Sequence, residues 1–209
     1  MSKALIELVK KNFPDAVLES HSQLGDDTVV LAPGRWKEVC RFLKDNQQSD
    51  MSMLTDLTGV DYPDRDPRFE VVAHLYSLSR GHRLRVKARV GDREGETVEI
   101  DTLTELWASA NWMERECFDM LGVKFLGHPD LRRILTYPEF EGHPLRKDYP
   151  AEKIQPLVQY RDEPNIDKVA PFGVDEGMSF GRQTHKVGIY TDADGDGGAR
   201  RKIISPADN

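Results

Sequence analysis

Residues 69–90, FEVVAHLYSLSRGHRLRVKARV, read as two strands joined across Gly81. In the first, Phe69, Val71, Ala73 and Leu75 alternate with Glu70, Val72, His74 and Tyr76. In the second, Leu84, Val86, Ala88 and Val90 alternate with Arg83, Arg85, Lys87 and Arg89. A period of two places one set on each face of a sheet. The apolar face of this antiparallel pair then needs a second layer to cover it. The four aligned cations admit two readings. One is the solvated outer face of a sheet. The other is a docking face for an acidic partner surface, whose approach the cations would speed.

Outward from this pair, Met51–Val60 reads as a strand ending in the turn-rich DYPDRDPR of residues 61–68. Upstream, Pro33-Gly34 opens a helix with Trp36, Val39, Cys40 and Leu43 on one stripe. Alternation over Ala16–Glu19 and the run Thr28-Val29-Val30-Leu31 predict a hairpin turning around Gly25-Asp26-Asp27. A first helix carries Leu5, Leu8 and Val9 and stops near Phe13-Pro14. This order lacks the regular strand–helix alternation of a doubly wound fold. It predicts an α+β, two-layer domain with a mixed sheet and flanking helices, followed by a long extended C-terminal arm.

The 209 residues hold 29 Lys+Arg against 36 Asp+Glu, a net charge of −7 that argues against a general nucleic-acid binder. The two cysteines, Cys40 and Cys117, form no Cys-x-x-Cys pair, so an iron–sulfur cluster or all-cysteine zinc site is not expected. They make no disulfide framework either, which favours a reducing compartment. The N-terminal MSKALIELVKKNFPDA does not read as a signal peptide. No apolar run approaches the roughly 20 residues that cross a bilayer. Gly and Pro number 13 in residues 1–130 and 15 in the shorter stretch 131–209. A domain over 1–130 and a Pro/Gly-rich extended arm over 131–209, docking on a partner, are therefore expected.

The densest segment starts at Thr102. Thr102-x-x-Glu105 has the form of a capping box, and apolar residues from Leu103 to Leu121 follow at spacings of three and four, up to Gly122. One or two linked amphipathic helices are expected. Glu114, Arg115, Glu116 and Asp119 form the polar set, with Arg115 and Asp119 spaced to pair along the surface. Such a set commonly marks a solvated helix face. Trp112 and Phe118 among these charges point instead to a helix buried on both sides, as at a protein interface. Two related phrases come next, GHPDLR at 127–132 and GHPLR at 142–146, followed by Lys147-Asp148-Tyr149-Pro150. Proline biases each preceding histidine towards an extended conformation, so both phrases read as rigid turns.

These residues carry a resemblance. Glu114-Arg115-Glu116-x-Phe118-Asp119-Met120-Leu121-Gly122 opens the pattern. Phe125-x-Gly127-His128-Pro129-Asp130-Leu131-Arg132-Arg133-Ile134-Leu135 and Gly142-His143-Pro144-Leu145-Arg146-Lys147-Asp148-Tyr149-Pro150 follow in order. Together they resemble the signature of the C-type, thirty-kilodalton subunit of respiratory complex I, the proton-pumping NADH:quinone oxidoreductase. The resemblance implies a non-catalytic assembly subunit of the peripheral arm, with no cofactor, metal or catalytic residue of its own. FMN and iron–sulfur clusters would lie in partner subunits. The chief partner would be the hydrogenase-like, D-type large subunit, and membrane association would come only through the complex. The place implied is the cytoplasmic side of the bacterial inner membrane. On this reading the interface residues are Glu114, Arg115, Glu116, Phe118, Asp119, Gly122, Gly127, His128, Pro129, Asp130, Arg132, Arg133, Gly142, His143, Pro144, Arg146, Lys147 and Asp148.

The competing readings are the equivalent subunit of a membrane-bound hydrogenase-type complex, and a stand-alone metal-dependent enzyme using His128 and His143. The second would recruit Asp130 and Asp148, against the repulsion of Arg132, Arg133, Arg146 and Lys147. Residues 192–197, DADGDG, imitate half of an EF-hand loop, but the twelfth position is Ile203 where a bidentate Glu is required. An acidic turn between the short strands KVGIY and RKIIS accounts for them better.

Overall fold

The structure, a computed structural model, describes residues 3–92 and 98–156 together with the backbone of 190–191 and 201–202. Its elements run α1 (Lys3–Asn12), β1 (Val17–Gln23), β2 (Asp26–Leu31), a 3-10 turn (Pro33–Arg35), α2 (Trp36–Asp45), β3 (Met53–Asp61), β4 (Phe69–Tyr76) and β5 (Arg83–Val90). The short strand β6 (Glu99–Asp101), α3 (Ala110–Leu121) and β7 (Lys124–Leu126) follow. A five-stranded sheet has the order β1-β2-β5-β4-β3. Its β2–β5 pairing is parallel and the others are antiparallel, so the sheet is mixed, as expected.

Alternation decides what the sheet buries. Leu84, Val86, Ala88 and Val90 of β5 join Phe69, Val71, Ala73 and Leu75 of β4 in one core with the stripe Trp36, Val39, Cys40 and Leu43 of α2. From α1, the core takes Leu5, Ile6 and Val9, with Ile6 in place of the Leu8 read from the sequence. Burying each large aliphatic side chain contributes about 1.5–3 kcal/mol. At the β3 edge, α3 comes unusually close. A Cβ on Gly59 would lie 2.5 Å from Leu121 Cδ1 and 2.8 Å from Cys117 Sγ. Glycine is what lets the helix sit this near the strand.

On the opposite face the cation row of β5 is matched by its own sheet. Arg85 pairs with Asp26 of β2 at 3.0 Å, Lys87 with Glu70 of β4 at 2.6 Å, and Arg89 grips Glu19 of β1 through two bonds of 2.8 and 2.7 Å. The acidic surface those cations call for is thus largely supplied from within.

Two local expectations change. The first hairpin turns at Leu24-Gly25, with φ of 54° and 87°, while Asp26 and Asp27 already belong to β2. Two successive positive φ angles are what a two-residue hairpin loop demands. Second, Thr102 caps no helix. Its hydroxyl and the Leu103 N–H are both turned to Glu114, and residues 103–107 make a single turn before α3 begins at Ala110. The signature, expected to continue to residue 150, lies against α3 there: Leu145 N–H donates to Met120 C=O at 3.0 Å. The rest of the expected arm lies almost wholly outside the described residues. There, β8 (Tyr190–Thr191) and β9 (Arg201–Lys202) pair antiparallel, on either side of the EF-hand-like stretch, which itself is not described.

Candidate functional site

The three phrases converge at the C-terminal end of α3. The helix stops at Gly122, in the left-handed region at φ 80°, and a Cβ there would lie 2.6 Å from Arg146 Nη2 and 2.7 Å from His143 Nε2. Gly122→Ala is therefore expected to cost about 1–3 kcal/mol, from backbone strain and displacement of two side chains. Chemical denaturation of the full chain checks it.

Asp119, one turn earlier, is fully enclosed. Its Oδ2 accepts the N–H groups of Ile134, Leu135 and Thr136 at 3.0, 2.8 and 2.8 Å. Its Oδ1 accepts Arg133 Nη1 at 2.8 Å and the Thr136 hydroxyl. Burial alone would raise this carboxyl. The Thr136 hydroxyl and N–H, then Arg133 and the Leu135 N–H, overcome it and hold the pKa at about 2. Arg133 also donates to Gly142 C=O at 2.9 Å and lies over the Phe140 ring. Arg115 does not pair with Asp119. It donates to the carbonyls of Arg132 and Arg133 at 3.1 and 3.2 Å.

A second fastening joins the third phrase to the sheet edge. Arg68, the last residue of the 61–68 loop, grips buried Asp61 at 2.7 and 2.8 Å and Asp148 at 3.1 and 2.9 Å. Lys147 N–H donates to Asp61 Oδ2 at 2.8 Å. Burial would raise Asp61, but Arg68 and the Lys147 N–H lower it below the usual carboxylate range; Asp148 is lowered chiefly by Arg68. Arg146 Nε donates to Leu121 C=O at 2.7 Å, and the guanidiniums of Arg68 and Arg146 both lie over Phe69.

The two histidines serve the same purpose. His128 Nε2 donates to Asn111 C=O at 3.1 Å while Nδ1 accepts the Asp130 N–H at 3.0 Å, which fixes its tautomer. His143 Nδ1 donates to Asp119 C=O at 3.0 Å, and its ring meets Phe118 edge-on. Burial, reinforced by Arg146 and Arg133, pushes the His143 pKa below its ordinary value. Asp130 pairs with Arg132 and Asp148 with Arg68, so the four groups of the metal reading are spent separately. No three His, Cys, Asp or Glu side chains converge among the described residues. A cleft of about 540 Å³ lies on the outer sheet face beside His74 and Arg83, and none of the signature residues lines it.

The signature residues thus divide. Glu114 and Asp119 are wholly enclosed by their own chain, as a helix buried on both sides requires and a solvated helix face does not. Arg133, His143 and Arg146 are half-buried fasteners, with Gly122 packed beneath two of them. Glu116, Gly127, Pro129, Asp130, Arg132, Gly142, Lys147 and Asp148 are exposed, and Arg115, Phe118, His128 and Pro144 are partly so. Sequence reasoning missed Asp61, Arg68, Thr102 and Thr136. A capping-box reading of Thr102 and a turn reading of 61–68 hid their partners.

A five-stranded mixed sheet sharing one core with its helices defines a two-layer α+β domain, onto which the signature fastens a loop. The same fold occurs in a chain of the membrane-bound sulfane sulfur reductase, an archaeal respiratory membrane complex: TM-score 0.61 and 21% identity, covering 77% of this chain and 97% of that one. Residues 29–155 match the family described as respiratory-chain NADH dehydrogenase, 30 Kd subunit, and the chain belongs to that family. It is 41% identical to a C-type subunit of NADH-quinone oxidoreductase from Rhizobium etli, over 80% of this chain and 81% of the relative. It is 45% identical to the C-type subunit of the Geobacter sulfurreducens enzyme, over 72% and 90%. For the C-type subunit from Roseiflexus castenholzii the identity is 49%, over 66% and 77%. No helix among the described residues is long and apolar enough to cross a membrane.

Proposed function

We propose that this chain is a non-catalytic assembly subunit of the peripheral arm of NADH:quinone oxidoreductase. Other subunits hold the FMN and iron–sulfur clusters that carry electrons from NADH to quinone, coupled to proton translocation. The observation that carries this reading is the use of the signature. Asp119, Arg115, Arg133, Arg146 and Asp148 are used to clamp residues 127–150 onto α3 and the sheet edge, which turns irregular chain into a fixed surface. Trp112 on α3 and Leu135 and Leu145 on the clamped stretch remain 65%, 64% and 57% exposed. Exposed apolar anchors beside a polar rim are what a partner surface uses. The partner is a D-type large subunit, on the cytoplasmic side of the bacterial inner membrane, and membrane association runs through the complex.

Affinity purification of the tagged full chain from its native membranes tests this. The expected result is recovery of a D-type large subunit together with NADH- and FMN-binding subunits. Trp112→Ala is expected to reduce that recovery severalfold while leaving the chain's own unfolding midpoint unchanged. Recovery of hydrogenase-type partners instead would move the chain to a related complex. A stable monomer without partners would overturn the assembly reading altogether.

A further inference from the structure

Two carboxyl groups stand five positions apart on α3, both enclosed, in surroundings of different kinds. Asp119 meets a guanidinium, a hydroxyl and three N–H groups, as described above. Glu114 has two donors. Leu103 N–H reaches Oε1 at 2.7 Å, and the Thr102 hydroxyl reaches Oε2 at 2.6 Å. No ion pair among the described residues includes it. The charged and titratable groups facing it are Lys37 of α2, whose ammonium is held by Glu105 at 3.0 Å, and the Cys117 thiol on its own helix. Burial pushes the Glu114 carboxyl up to about 7, only partly offset by Thr102 and Leu103.

Thr102 is the informative neighbour. Its Oγ1 accepts the Thr104 N–H at 3.1 Å, and lies 2.6 Å from Glu114 Oε2 and 2.9 Å from Thr104 Oγ1. A hydroxyl has one hydrogen and two lone pairs. With one lone pair taken, one of the two remaining contacts must be donated and the other accepted. Two arrangements satisfy this. When Glu114 is ionised, Thr104 donates to Thr102 and Thr102 to the carboxylate. When Glu114 is protonated, the carboxylic acid donates to Thr102 and Thr102 to Thr104. Geometry is unchanged between them, and only the direction of the chain reverses. Thr104 is partly exposed and lines an open groove with Asn111, Gly127 and Pro129.

We propose that Glu114 is a buried proton-binding site that exchanges with water through the hydroxyls of Thr102 and Thr104, opening at the groove beside Gly127. On uptake a hydronium ion gives its proton to Thr104 Oγ1 and leaves as water. The former Thr104 hydroxyl proton passes to Thr102, and the Thr102 proton to Glu114 Oε2. Each threonine ends with one hydrogen, the carboxylate becomes a carboxylic acid, and no electrons change hands. Release reverses the sequence. The site is complete within this chain, whichever respiratory partner the chain joins.

Infrared titration of the full chain, following the carboxylic-acid C=O band and its hydrogen–deuterium exchange, tests this. A band titrating near pH 7 is expected and should be absent in Glu114→Gln, whose amide keeps both hydrogen bonds. Thr104→Val should retain the band but slow its exchange by about tenfold or more, because exchange must then wait for local opening. Thr104→Ser, which restores a hydroxyl, should exchange at the wild-type rate. A band that survives Glu114→Gln would overturn the site, as would no acid band below that midpoint. Wild-type exchange in Thr104→Val would overturn the route, and this arm holds even if Glu114→Gln fails to fold.

Discussion

Asp119→Ala lowers the stability of the full chain by about 3–5 kcal/mol, and the loss appears first in residues 131–150. The substitution removes a buried acceptor and leaves Arg133, the Thr136 hydroxyl and three N–H groups without it. Stranded donors cost more than the bonds themselves were worth. Limited proteolysis should cut after Arg132 or Arg133 in the variant long before it does so in the wild type, and urea unfolding gives the magnitude. Unchanged proteolysis and an unchanged midpoint would return Asp119 to a direct interface role. The pH dependence has a definite sign. Because the folded pKa is depressed to about 2, the stabilisation is complete above the ordinary carboxyl value of 3.8 and is lost as pH falls through 2. Glu114 works the other way. Its folded pKa is raised to about 7, so its contribution is complete below 4.5 and is lost as pH rises through 7.

Arg68→Met should cost a similar amount, about 3–5 kcal/mol, by leaving the buried Asp61 carboxylate with the Lys147 N–H alone. The guanidinium holds two carboxylates on adjacent edges that share Nη2, one interior and one at the surface, and methionine replaces its bulk without its charge. Two further measurements separate this from lost packing. Adding Asp61→Asn to the variant should recover part of the loss, with a coupling of about 1–3 kcal/mol in the double-mutant cycle. Raising the salt concentration should leave the wild-type contribution largely intact, because a buried pair is poorly screened. A coupling near zero would show that Arg68 acts through its contact with Phe69 instead.

What could be read from the residues was what repeats over short distances. The stripe Trp36, Val39, Cys40 and Leu43 and the alternation of β4 and β5 are local signals, and each led to the buried face found. The sheet's mixed character was legible, but the parallel register of β2 on β5 was not, since strands more than fifty positions apart carry no mark of their pairing. The site was harder for a physical reason. Asp119 is satisfied mainly by backbone N–H groups, which every residue but proline owns and which no sequence pattern labels. Arg115 four positions away offered a visible partner, and proximity in sequence favoured the wrong pair. Likewise the acids that neutralise β5 come from three different strands, so the stripe looked bare until the sheet was assembled.

The tethering of residues 133–148 also orders events in time. Synthesis runs from the N-terminus, so β3 and α3 leave the ribosome before the Lys147 N–H that completes Asp61 and the residue 133–136 donors that hold Asp119. A nascent chain that ends near residue 130 already contains all five strands of the main sheet. Asp61 is already held by Arg68 but still lacks the Lys147 N–H, while Asp119 lacks all its loop donors, and water must solvate the open positions until those donors arrive. Closure of the loop over α3 is therefore a late step in the making of this chain, and both anions are sealed in that step.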